Sequence, residues 1–114
     1  MHVDGYEFGR IVIDGEAYEK DVVIAGGRVH ANWWRREGHR LRVEDMDVMF
    51  DAEPTVIVIG CGAQGVMRVS DEVRRVVDEK KIRLEALDTG EAVGRFNELA
   101  AGGEEIAAGF HLTC

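Results

Sequence analysis

The sequence predicts an α/β domain in which an antiparallel β meander precedes a β-α-β-α-β unit. Three observations carry this. Up to Pro54 the chain is a series of short apolar runs separated by glycine-containing turns. Residues 55–59 then form a continuous run rich in β-branched side chains, as expected of a strand buried on both faces. Beyond it, strand-like runs alternate with stretches of helical period, which implies parallel strands joined by right-handed crossovers.

Each element has its own reason. Residues 8–13 read as a strand leading into Asp14-Gly15, a strong hairpin signal. Residues 18–24 follow as a second strand, and Ala25-Gly26-Gly27 turns the chain again. Residues 28–34 alternate, with Val29, Ala31 and Trp33 on one face and His30, Asn32 and Trp34 on the other. A short helical or irregular piece across residues 44–50 precedes the only proline, Pro54. After the buried strand, Ser70 is expected to cap a helix running to about Lys80, with Asp71 and Glu72 in its first turn. Val69, Val73, Val76 and Val77 form the apolar stripe of that helix. Residues 82–87 give the next strand. Thr89 is expected to cap a second helix carrying Ala92, Val93, Phe96, Leu99 and Ala100, which Gly102-Gly103 stops. In the last strand, residues 106–113, Ile106, Phe110 and Leu112 face one way; Ala107, Gly109, His111 and Thr113 face the other. No repeat or linker divides the chain, so a single domain over residues 1–114 is expected.

Composition narrows the function classes. Of the 114 residues, 46% are hydrophobic and 32% are charged, which suits a soluble globular chain. No apolar run approaches the roughly 18 residues of a membrane span, and the start lacks a basic segment followed by an apolar one. Cytoplasmic placement without membrane insertion is the expectation. A net charge of −8 argues against general nucleic-acid binding, which needs cations against phosphates. The two cysteines, Cys61 and Cys114, are too few for a disulfide scaffold. With no C-x-x-C pair and no H-E-x-x-H helix, no metal site is expected.

Several pieces fall in a familiar order: Tyr6 with Phe8-Gly9, Tyr18 with Asp21-Val22, and Trp33-Trp34-Arg35 with Gly38-His39 and Leu41. Pro54, Val58-Ile59-Gly60, Gly62 and Gly65 continue it, then Thr89 with Ala92, Phe96-Asn97 and Leu99, and Phe110-His111-Leu112-Thr113-Cys114. Over nearly the whole chain these resemble a small domain-of-unknown-function family. That family occurs in bacteria and archaea, in animal adipogenesis-associated proteins and in a mitochondrial complex I assembly factor. The resemblance implies a compact α/β fold with a mixed central sheet and an added β layer. It implies no catalytic reaction and no cofactor. Cys61 departs from the family pattern, in which threonine is usual between the two glycines, and this counts against an indispensable thiol.

Two candidate sites stand out. The first follows the buried strand, where Gly60, Cys61, Gly62 and Gly65 form G-x-G-x-x-G. Such a loop turns tightly and brings N–H groups near a bound anion. The dinucleotide motif is incomplete: the next helix begins near Ser70, and Asp88 lies 28 residues after Gly60 instead of roughly 20. Asp88 and Thr89 are expected to meet the loop at the sheet's carboxyl edge. The second is the segment Trp33 to Arg42, with four arginines against one glutamate. Tryptophan and arginine are enriched at binding hot spots. The leading expectation is therefore a non-catalytic binding or assembly module that meets protein partners through Trp34, Arg35, Arg36, His39 and Arg40. The rival is a small-molecule or anion-binding enzyme using the glycine loop, with Asp88 or Cys61 in chemical roles. A homo-oligomer formed through a sheet edge is compatible with both.

Overall fold

The computed structural model describes residues 1–114. β1 (Val3–Glu7), β2 (Arg10–Ile13) and β3 (Glu16–Tyr18) form a three-stranded antiparallel sheet. Asp14 and Gly15 close its second hairpin at positive φ, 48° and 81°, the conformation of a two-residue turn that matches strand twist. β4 (Val22–Ala25) and β5 (Arg28–His30) begin the central sheet. β6 (Arg40–Leu41), a 3₁₀ turn (Val43–Met46) and α1 (Asp47–Asp51) lead to the buried strand β7 (Val56–Cys61). β8 (Arg68–Val69), α2 (Asp71–Glu79), β9 (Arg83–Leu87), α3 (Thr89–Ala101) and β10 (Ile106–His111) complete the chain. The central sheet runs β5-β4-β10-β7-β9. β10, β7 and β9 are parallel, whereas β4 and β5 are antiparallel additions at one side. β6 and β8 pair separately, in parallel.

Both faces of this sheet are covered. On one, Val56, Val58, Ala108 and Phe110 pack against Ala92, Phe96 and Leu99 of α3 and against Ile11 and Ile13 of the meander. On the other, Ile57, Ile59 and Ala107 meet Met46, Met49, Val73, Val77, Leu41 and Met67. Every residue of β7 is buried, which is why its sequence shows a run and no alternation. Fully burying one such aliphatic side chain stabilises the fold by about 1.5–3 kcal/mol. No helix is long and apolar enough to cross a membrane.

Four local expectations change. β1 is an additional strand: Asp4-Gly5 interrupts its pattern, and its register shifts between Val3 and Gly5. The stretch 18–24 is divided between two sheets, because the chain leaves the meander at Tyr18 and enters the central sheet at Val22. β5 ends at His30, and Asn32 sits at φ 59°, so Trp33 and Trp34 lie beyond the strand. The cap of α3 is Asp88, whose side chain accepts the Glu91 N–H at 2.9 Å, while Thr89 is the first helical residue. Ser70 does cap α2, accepting from the Val73 N–H.

Candidate functional site

β7 leads into α2 on one face of the sheet, and β9 leads into α3 on the other. The carboxyl ends of β7 and β9 therefore flank a topological switch point, the position where open α/β sheets take ligands. The glycine loop and the start of α3 meet here. The Gly62 N–H donates to Thr89 Oγ1 at 2.8 Å, and the Thr89 N–H donates back to the Gly62 carbonyl at 2.9 Å. The Ala63 N–H donates to the Thr113 carbonyl at 2.7 Å, and the Gly65 N–H to the Gly62 carbonyl at 3.1 Å. These amides are used inside the fold.

The glycines serve close packing. A Cβ on Gly60 would lie 2.9 Å from Thr89 Oγ1, and one on Gly62 only 2.5 Å from the Cys114 carbonyl oxygen. Thr89 is fully buried, with its hydroxyl donating to the His111 carbonyl at 2.6 Å. It lies behind the loop and is not among the walls of the cleft beside it. Beside the loop is a cleft of about 720 Å³, with Gln64, Gly65, Val66, Arg68, Arg74 and Asp88 among its walls. Cys61 touches it from a buried position, and burial raises the thiol pKa above its ordinary value. Of the glycine-loop candidates, Cys61, Gly65 and Asp88 reach this cleft; Gly60, Gly62 and Thr89 do not.

The aromatic-basic segment divides into anchors and exposed groups. Trp33 is partly buried: its indole N–H donates to the Asp45 carbonyl at 3.0 Å, and its ring lies over Gly109, where an added Cβ would meet it at 2.6 Å. Arg35 is not a surface residue. Its side chain is 4% exposed, its guanidinium stacks 4.6 Å from the Trp33 ring centroid, and Nη1 lies 2.9 Å from Asp21 Oδ2. That last approach is ionic in character, since the Nη1 proton does not point along a hydrogen bond. Arg35 is thus withdrawn from the expected contact surface, because a buried guanidinium must keep its carboxylate.

Asp21 and His111 complete this buried group. His111 Nδ1 is 2.8 Å from Asp21 Oδ2 and 3.0 Å from Arg35 Nη2. A carboxylate only accepts, so the Nδ1 proton goes to Asp21, while Nη2 donates to the Gly38 carbonyl at 3.1 Å. The other carboxylate oxygen of Asp21 accepts the Leu112 N–H at 2.8 Å. Burial pulls the Asp21 carboxyl upward, yet the bonds from His111 and Leu112 and the Arg35 charge outweigh it, leaving the pKa below 3.8. His111 Nε2 is buried and meets no protein partner. His39 lies edge-on to His111 with 6.0 Å between centroids and touches Cys114 Sγ at 3.7 Å.

Against these braces Trp34 stands out, 77% exposed. A hollow of about 490 Å³ beside it is lined by Lys20, Asp21, Trp33 and Leu112 among others. Arg36, His39 and Arg40 are exposed as the sequence reading expects. That reading gave no site role to Asp21, Gln64, Arg68 or Arg74. Asp21 sits within a stretch that reads as one strand, and the two-residue pairing of β6 with β8 leaves no readable period.

A model of a family described as proteins of unknown function, DUF498/DUF598, matches residues 3–111. Among solved structures, a conserved hypothetical protein from Pyrococcus horikoshii OT3 aligns over 100% of both chains, at 26% identity and TM-score 0.85. A protein described as an outer membrane protein from Bartonella henselae aligns at 23% identity and TM-score 0.84, over 98% of this chain and 94% of that one. A Bordetella pertussis protein described as a Mth938-like domain gives 20% identity and TM-score 0.69, over 97% of this chain and 85% of that one. The latter two bear on the fold alone.

Proposed function

This chain belongs to the DUF498/DUF598 family of proteins of unknown function, and from that premise we propose that it is a non-catalytic cytoplasmic binding or assembly module for protein partners. The observation that carries the reading is Trp34, 77% exposed between an anchored Trp33 and a buried Arg35. An indole held out on braced backbone loses little conformational freedom on binding, which is the property of a hot-spot residue. The hollow beside it accepts a partner side chain, and Arg36, His39 and Arg40 form a polar surround. Arg35 acts as the brace and not as a contact. The resemblance read from the sequence, to a family that also includes a complex I assembly factor, is in line with an assembly role and names no partner.

Quantitative affinity purification of the wild type beside Trp34→Ala tests the reading. A set of proteins that co-purifies with the wild type and is lost from the variant, at unchanged melting temperature, is the expected result. Identical recovery with both chains would sink it.

A further inference from the structure

We propose that the cleft between the carboxyl ends of β7 and β9 binds the phosphate monoester of a small molecule, held by Arg68 and Arg74 with Arg40 alongside. The inference goes beyond the partner-binding reading and does not depend on Trp34. It starts from an arrangement that folding alone disfavours. Arg40 and Arg68 are register partners in the parallel pair β6–β8, so their side chains leave the same face of that ribbon. Like charges directly opposed across strands are destabilising. The chain has 22 acidic residues against 14 lysines and arginines, so carboxylates are in surplus. Arg10, Arg35, Arg42, Arg83 and Arg95 form ion pairs, whereas Arg28, Arg36, Arg40, Arg68, Arg74 and Arg75 do not, and of these Arg40, Arg68 and Arg74 lie at one corner of the molecule.

Two unpaired guanidiniums on one cleft, with a third on the hollow beside it, leave positive charge open to an anion from outside the chain. Arg68 lines the main cleft and also a neighbouring hollow of about 260 Å³ that includes Arg40, so its side chain stands between the two. Arg74 lines the main cleft from α2. The Gly62, Ala63 and Gly65 amides are used inside the fold, so recognition falls chiefly to side chains, and guanidinium forks suit phosphate oxygens. Gln64 adds an amide donor at the rim.

The remaining walls describe the rest of the ligand. Val66, Ala86 and Leu87 offer apolar surface to an organic body. Asp88 and Asp71, also on the cleft, balance part of the arginine charge, repel a second anionic group and accept from a hydroxyl or amine. The fit is therefore a molecule with one phosphate end and a neutral or amine-bearing body. A volume of about 720 Å³ lies within the range of small-ligand sites.

The test is an amide NMR titration of the intact protein at low salt with phenyl phosphate, and with benzyl alcohol as the uncharged probe. Saturable shifts are expected in residues 64–69 and around Arg40 with phenyl phosphate only. Arg68→Ala and Arg74→Ala should each weaken binding by about tenfold or more, the effect of losing one charge-assisted contact. Arg28→Ala removes another exposed, unpaired arginine on the opposite edge strand and should leave binding unchanged. The spectra of the free variants report whether each remains folded, and Arg68→Lys, which keeps the charge without the fork, should bind with intermediate strength. No saturable shift overturns the proposal. So does equal weakening by Arg28→Ala, which would mean diffuse attraction, or full binding by Arg68→Ala and Arg74→Ala.

Discussion

Asp21 sits where the chain passes from the meander to the central sheet, and its carboxylate ties that junction to β10 through the Leu112 N–H and His111, and to the Trp34 segment through Arg35. Its pKa is lowered on folding, so it contributes stability in full above the unfolded value near 3.8, and that contribution is lost as pH falls through the lower folded value. Melting curves of the wild type and Asp21→Asn should therefore differ most at neutral pH and converge in the acid range. A gap independent of pH would refute the assignment. The two thiols separate on similar grounds. Cys114 is exposed, whereas Cys61 is buried with a raised pKa, and the thiolate is the reactive form. Mass spectrometry after brief native alkylation should find one label, on Cys114, with Cys61 modified only after unfolding.

At the scale of the element, the two adjacent tryptophans belong to different environments. Trp33 fills the space over Gly109 and caps the Arg35 guanidinium, so Trp33→Ala should cost about 3 kcal/mol. Trp34→Ala removes an exposed side chain and should stay within about 0.5 kcal/mol. Urea titrations of both variants check this, and equal losses would contradict the division into anchor and contact. The sequence reading anticipated by strand parity that the pair would point apart; the two do take different environments, although both lie beyond the end of β5. β7, α2, α3 and β10 were legible because β-branched runs, helical period and caps are local signals. β1 was not, since Asp4-Gly5 breaks its alternation and its pairing is bulged. The burial of Arg35 was equally hidden, because its partners arrive from distant positions in the chain and only the tertiary fold brings them together.

Across the whole molecule, a mixed sheet covered on one side by α3 and the meander, and on the other by α1, α2 and the β6–β8 ribbon, leaves two open rims. One is β5, three residues long, entered from Gly26-Gly27 and ended by the turn at Asn32. The other is β9, where Glu85 is held by Arg95 at 2.6 Å and by Arg83 at 3.2 Å. A strand that is short, or that carries charge, is a poor template for recruiting the same strand from another copy. The charged side chains of β9 are thus expected to oppose edge-to-edge stacking of partly folded copies. Replacing Arg83 and Glu85 together by valine should turn that rim into a nucleus, read as faster thioflavin-positive growth from partly denatured protein. Unchanged kinetics would assign these charges to stability alone.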